Sequence, residues 1–291
     1  MFSVHKKIRN LFKSFYFKIQ FNNKFTSYAI FPHGKRSYHL ANPNNFLEKR
    51  LLTTGYEDHV TNLIELIVPG VTKNNSSIID IGANSGIHTI KMAENMSGSG
   101  LVFAIEPTDS NIKKLTTNIT LSSCNNVKII KAVVGEDNQN KIFYRTEINE
   151  FESGISSLYK NTFLEENIPY ITEDIKQICL DDYFKNLQKE ISFIKIDAEG
   201  NEFNILHGAK EIIKNSFPVI IMEYHHDRIK KNQFYEDVKA SLNKNYYMYY
   251  IEKNKKNKFY QLSPFDLNNK IKGEILLVPK YKYTFLNNVK N

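Results

Sequence analysis

The chain has 291 residues, 41% of them hydrophobic and 13% aromatic, no tryptophan, and a net charge of +8. Such a length holds one large domain, or one domain with an extension, and the apolar content excludes wholesale disorder. Eight basic residues from Lys6 to Arg36 precede the first acid, Glu48, and account for the whole excess. Beyond residue 47 the chain is neutral overall, so composition gives no support to a basic nucleic-acid groove. Cys124 and Cys179 have neither metal-ligand spacing nor a disulfide framework, which fits a reduced, cytoplasmic setting. No apolar run has transmembrane length and the N-terminus lacks a signal-like apolar stretch, so a soluble or peripheral protein is expected.

Residues 1–50 read as a basic extension and residues 51–291 as a single domain. Over residues 1–20, Val4, Ile8, Leu11, Phe12, Phe15 and Ile19 fall at helical spacing, with Lys6, Arg9 and Lys13 opposite and Phe17 out of pattern. A helix of that kind either rests on an anionic membrane surface, through residues 1–24, or packs against protein. Residues 21–50 have room for a short strand or two. Tyr56–Val68 predicts a helix stopped by Pro69-Gly70.

Strands and helices then alternate. Ile78–Ile81 is a buried strand and His88–Met96 a helix; Leu101–Ile105 is a strand and Asp109–Leu121 a helix capped by Thr108 or Asp109. Val127–Val134 reads as a third strand, Lys141–Arg145 as an added one, Ile175–Leu180 as extended and Asp181–Leu187 as a short helix. Ile191–Ile196 is a strand, Glu202–Lys214 a helix, Pro218–Met222 a buried strand and residues 232–242 a helix. Tyr246–Ile251 and Glu274–Val278 close the chain as an antiparallel edge. The alternation specifies an α/β fold whose sheet is mostly parallel, with helices on both faces.

In such sheets ligands bind beyond the carboxyl ends of the strands. Asp80, Glu106, Asp197, Glu199 and Glu223 all stand at or just past predicted strand ends. Gly82 and Gly86 open the first loop to close backbone approach, and its amides face whatever lies over the helix start. Glu106, about twenty residues on, suits ribose hydroxyls. A dinucleotide would want a glycine where Asn84 stands and would be repelled by Asp80. S-adenosylmethionine has no phosphate and carries a sulfonium and an ammonium, so both residues suit it.

The chain resembles the FkbM-type methyltransferases, a class I S-adenosylmethionine-dependent family. The likeness is carried by residues 79–89, by Glu106-Pro107 with Asn111, Leu115 and Asn118, and by Ala132–Gly135, Ser156-Ser157 and Leu180-Asp181-Asp182. Its most specific piece is Lys195-Ile196-Asp197-Ala198-Glu199-Gly200-Asn201-Glu202, followed by Leu206, Gly208 and the Pro218–Glu223 strand. Thr108-Asp109 and Asn201 depart from the usual residues without removing a charge. Residues 1–50 lie outside the likeness.

The resemblance implies a Rossmann-like class I sheet and O-methylation, often of sugar or natural-product hydroxyls, as in polysaccharide biosynthesis. Asp80, Gly82, Asn84, Gly86, Glu106 and Gly135 are the expected donor-binding residues. A hydroxyl must lose a proton as it is methylated, so Asp197, Glu199 and Lys195 are expected to be catalytic, the lysine orienting a carboxylate. Glu202, Glu223 and His225 are expected to bind the acceptor. The plainer alternative makes Asp197 and Glu199 only the opening acids of the next helix. Asp197, Glu199, Glu223 and His225 match no fixed ligand spacing, and no metal is expected. The competing functions are methylation of RNA or protein, an NAD-dependent oxidoreductase, and a non-catalytic binding module.

Overall fold

The computed structural model describes residues 15–21, 24–32, 38–41, 57–73, 75–146, 156–160, 164, 168–187, 190–253 and 260–282. Its centre is an eight-stranded sheet. Four parallel crossovers arrange β4 (Ser77–Ile81), β5 (Val102–Ile105), β6 (Val127–Ile130), β11 (Ile191–Ile196) and β12 (Val219–His225) in the order β12-β11-β4-β5-β6. At the β12 edge, β15 (Lys272–Pro279) runs antiparallel, then β13 (Tyr246–Lys253), then β14 (Tyr260–Pro264). The strand order reverses between β4 and β11, and ligand crevices form at such switch points.

Apolar runs at these strands bury both faces, as a helix-covered parallel sheet requires. Ile79, Ile81, Phe103, Ile105, Ile194, Ile196, Ile220 and Met222 join one core, with α4 (Leu180–Phe184), α5 (Glu202–His207), α6 (Lys210–Ser216) and α8 (Tyr235–Asn245) packed on it. The alternate residues Ile78, Val102, Phe193, Val219 and Ile221 join the other, against α1 (Asp58–Val71) and α2 (Ile87–Asn95). Asp80 and Lys195 alternate onto that second face and are register partners across β4 and β11. α7 (His226–Ile229) follows β12, and α3 (Asp109–Leu121) packs through Leu115 on Ala83 and Ala104.

Beside the main sheet, β7 (Val133–Gly135), β10 (Ile171–Cys179), β8 (Asn140–Arg145) and β9 (Ser156–Ser157) form a second sheet in that order. The predicted third strand, Val127–Val134, is therefore two strands. After Ile130 the chain leaves the main sheet, and β7 pairs in parallel with β10 instead. The predicted helix Glu202–Lys214 is likewise two, α5 and α6, divided at Gly208-Ala209. A Cβ on Gly208 would meet the Gly135 carbonyl oxygen at 2.1 Å. The Gly208 carbonyl in turn accepts the Asp181 amide at 2.9 Å, and the Asp181 carboxylate accepts the Glu211 and Ile212 amides that open α6. The turn thus belongs to the seam between the two sheets.

Pro69-Gly70 does not stop the first helix, which continues to Val71. The missing proline N–H costs one bond in the last turn, while buried Val68 and Val71 hold that turn on the core. Thr72 closes it, its amide and hydroxyl both donating to the Val68 carbonyl. Thr108 is the residue before α3 but makes no side-chain cap. The C-terminal edge gains a strand, β14, that the sequence reading lacks.

The first twenty residues are also corrected in part. Residues 1–14 lie outside the described residues, but β1 (Phe15–Phe21) is a strand of an antiparallel meander with β2 (Lys24–Pro32) and β3 (Tyr38–Ala41). Phe15, Phe17, Ile19 and Phe21 alternate in sequence with polar or amphipathic residues, and that period of two absorbs the Phe17 that helical spacing left out. Among the described residues, no helix is long and apolar enough to cross a membrane.

Gly208→Ala should destabilise the protein by about 1–3 kcal/mol through overpacking at the seam. The check is a lower urea midpoint with an unchanged slope.

Candidate active site

The loop after β4 is shaped by backbone contact. Gly82 has φ +75°, and a Cβ there would stand 1.9 Å from the Asp197 carbonyl oxygen. The Asp197 amide donates to the Ile81 carbonyl at 3.1 Å, so the ends of β4 and β11 are joined. Asn84 at φ 49° and Gly86 at φ +91° complete the turn into α2. Asparagine is among the few residues that tolerate the left-handed region. A Cβ on Gly86 would lie 2.5 Å from Leu115 Cδ1.

Glu106, ending β5, is 3% exposed and gathers this loop. Its Oε2 accepts the Asn84 amide at 2.9 Å; its Oε1 accepts the Thr108 amide at 3.1 Å, the Thr108 hydroxyl at 2.6 Å and the Asn111 side-chain amide at 3.0 Å. Burial raises its pKa above the ordinary value, against these hydrogen bonds, which lower it. The Thr108 hydroxyl is thereby committed to Glu106, which is why it does not cap α3. Asn111, Leu115 and Asn118 recur at one-turn spacing on α3, and all three serve the same loop. Asn118 donates its side-chain amide to the Ser85 carbonyl at 2.7 Å.

His39 of β3 was not foreseen. It is fully buried, its Nε2 lying 3.2 Å from the Ser85 hydroxyl and 3.2 Å from Asn118 Nδ2. A single histidine in an otherwise unclassified stretch carries no spacing signal, and only the docking of β3 on α3 reveals it.

On the other side of the loop, Asp80 is 1% exposed and its Oδ2 accepts the Thr89 hydroxyl at 2.5 Å. Its register partner Lys195 is 4% exposed and donates to Asp197 Oδ2 at 3.1 Å. Burial works against the Lys195 charge, but Asp197, Asp80 and Glu57 outweigh it and raise its pKa, so the ammonium stays charged. Glu57, just ahead of α1, also meets His88 Nε2 at 2.9 Å.

The second acidic loop divides the expected catalytic pair. Asp197 is half-buried beside Lys195, whereas Glu199 is exposed, at φ 51°, with Arg228 3.7 Å from its carboxylate and 3.4 Å from its carbonyl. Glu202 folds back on its own loop, 1% exposed, its Oε1 accepting the Gly200 amide at 3.0 Å and the Ala198 amide at 3.3 Å. Burial foremost, with the Asp197 charge, pushes its pKa up to about 7. Asn201 donates to the Val134 carbonyl at 2.7 Å and ties this loop to the second sheet.

At the end of β12, Glu223 is largely buried and its pKa is pushed up to about 8, by burial and then by Asp197, Glu199 and Glu202. Lys272, 3.8 Å away, offsets this only in part. His225 is held below its ordinary pKa by burial and by Arg228 and Lys272. Gly135 lies in β7, between the Gln177 side chain and the Gly208 turn. Among the described residues no group of three His, Cys, Asp or Glu side chains is placed to hold a metal ion.

The methyltransferase FkbM domain, as a sequence family, matches residues 80–265, more than half of the chain. The chain belongs to that family. It is accordingly an S-adenosylmethionine-dependent methyltransferase. Solved structures with a similar fold include the methyltransferase FkbM of Methylobacillus flagellatus KT, at 15% identity and a TM-score of 0.44. That match covers 70% of this chain and 43% of the other, so this chain spans less than half of that protein's length. The O-methyltransferase of Bacillus cereus in complex with S-adenosylhomocysteine matches at 17% identity and a TM-score of 0.42, over 76% of this chain and 80% of that one. The S-adenosylmethionine-dependent O-methyltransferase of Thermotoga maritima matches at 13% and 0.42, over 91% and 77%. No curated protein sequence matches significantly.

The methyltransferase's own residues fit that donor. Asp80 Oδ1 and Asn84 Oδ1 are buried acceptors with no hydrogen-bond partner among the described residues. Acceptors of this kind suit a ligand carrying an ammonium and a sulfonium, and would be poor company for a pyrophosphate. In calorimetry the protein should bind S-adenosylhomocysteine and not NAD. Glu106→Ala should weaken S-adenosylhomocysteine roughly 10- to 100-fold, the worth of a charged hydrogen-bonding group.

Proposed function

We propose that this methyltransferase acts on a hydroxyl of a sugar, glycoconjugate or related metabolite, in the cytoplasm. The observation that carries the reading is the position of the Glu223 carboxyl, mostly buried in β12 next to β11, the neighbour of the donor-loop strand β4. Burial and the nearby acids push its pKa up to about 8. Bound S-adenosylmethionine supplies an electrophilic methyl group. A hydroxyl acceptor gains that methyl and gives up its proton, and a base works best with a pKa near the operating pH. Glu223 meets that requirement and takes the proton.

Lys195 stays charged and orients Asp197, whose carboxylate stands beside the donor loop and favours positive charge there. Glu199 and His225 face the acceptor side, and Glu202 keeps the loop in shape through its amide bonds. Asp80, Gly82, Asn84, Gly86 and Glu106 hold the donor. Gly135 acts at one remove, through its contact with the Gly208 turn. Residues 51–291 form the catalytic domain and residues 1–50 an extension, whose His39 braces the donor loop. The free, buried cysteines support a reducing compartment. The basic residues before Glu48 favour contact of residues 1–24 with an anionic membrane surface, and the neutral remainder favours a small-molecule or glycan acceptor over nucleic acid.

Because the unprotonated carboxylate is the active form, kcat/KM should rise with pH and level off above about 8, following the Glu223 titration. Glu223→Gln should remove that limb and lower the rate by a factor on the order of 10², with S-adenosylhomocysteine affinity kept. Methyl transfer from labelled donor into polysaccharide and lipid fractions is the measurement. An unchanged pH profile in the variant would return the proton to Asp197.

A further inference from the structure

A cleft of about 630 Å³ opens beside the Gly200 turn, between the second sheet and the segment that follows β12. Among its lining side chains, Lys160, Arg228 and Lys231 carry positive charge, against one carboxylate, Asp227. Arg228 is partly engaged by Glu199 at 3.7 Å, and Asp227 lies 3.2 Å from His226 Nδ1. Lys160 stands 5.9 Å from the Tyr170 ring centroid. Among the described residues, no carboxylate lies within 4.0 Å of Lys160 or Lys231. His225 also lines the cleft, and its Nδ1 is buried with no hydrogen-bond partner among the described residues.

We infer that this cleft is the acceptor site and that the acceptor carries an anionic group, a phosphate or a carboxylate, beside the hydroxyl it presents. The inference rests on the proposed hydroxyl methylation and names its substrate class. Position supports it first. Gly200 belongs to the loop whose Asp197 carbonyl packs on Gly82, so the cleft and the donor loop share one piece of backbone. Charge supports it next, since a concave surface lined by an excess of one sign concentrates ligands of the other. Phosphate and carboxylate are the groups that Arg and Lys hold by charge-assisted hydrogen bonds. Tyr144 and Tyr159 add broad apolar faces with polar tips to the same wall, a surface suited to a sugar ring. The acidic cluster of Asp197, Glu202 and Glu223 lies toward the donor, so an acceptor with one anionic end would enter with that end outward.

Calorimetry on the full chain saturated with S-adenosylhomocysteine tests this, with glucose 1-phosphate, glucuronic acid, glucose and a short RNA oligonucleotide as probes. At least one anionic sugar should bind roughly ten-fold more tightly than glucose, and the gain should shrink as salt is raised. Whichever of the two binds better distinguishes phosphate from carboxylate. The double substitution Lys160→Gln, Lys231→Gln should reduce anionic-sugar binding to the glucose level and leave S-adenosylhomocysteine binding unchanged. Equal binding of all three sugars, binding of none of them, tighter binding of the RNA, or an unaffected double variant would each overturn the inference. Failure of the unsubstituted protein to bind S-adenosylhomocysteine would instead overturn the donor site.

Discussion

The whole site hangs on the contact between Gly82 and the carbonyl of Asp197. No side chain fits there, because a Cβ would stand 1.9 Å from that oxygen, and the φ of +75° would strain any other residue. The contact brings the two strand-end loops to van der Waals distance at the point where the sheet's strand order reverses. Everything chemical follows from that proximity. Asp80 and Lys195 become register partners, Asp197 stands next to the donor loop, and the loop that continues through Gly200 forms one wall of the neighbouring cleft.

The same convergence crowds carboxylates together. Glu202 is buried beside Asp197, and Glu223 lies near Asp197, Glu199 and Glu202, so neither glutamate ionises as readily as a free carboxyl. Lys195 answers part of the demand and is kept charged by it. Burial first, and the neighbouring acids after it, push the pKa of Glu202 up to about 7 and that of Glu223 up to about 8. Glu202 is enclosed by its own loop, so its shift belongs to the architecture. Glu223 keeps partial access to solvent, and the proposed proton transfer draws on that access.

Legibility in the sequence followed the strength of local patterning. Central strands such as Ile78–Ile81 and Ile191–Ile196 are continuous apolar runs, and both the runs and the acids that end them were readable. Features decided by long-range packing were not. Val127–Val134 is apolar throughout, and nothing local says that its two halves serve different sheets. Glu202–Lys214 keeps a helical pattern, yet the approach of Gly135 to Gly208 divides it. Residues 15–19 satisfy helical spacing and alternate as well, and pairing with Lys24–Pro32 decides between the two.

By itself the sequence determined the α/β class, the strand-end acids, the glycine loop and, through the Lys195–Glu202 segment, the family. These are local facts: residue types at short, fixed spacings whose meaning does not depend on distant partners. The tertiary structure alone decided what each side chain touches. Glu202, read as an acceptor ligand, turned inward onto the Ala198 and Gly200 amides; His39, unremarked, became part of the donor loop's support. Lys160, Arg228 and Lys231, scattered along the chain, came to line one cleft. Burial, pKa and charge excess are properties of neighbours in space, and those neighbours are chosen only when the sheet closes around the contact of Gly82 with Asp197.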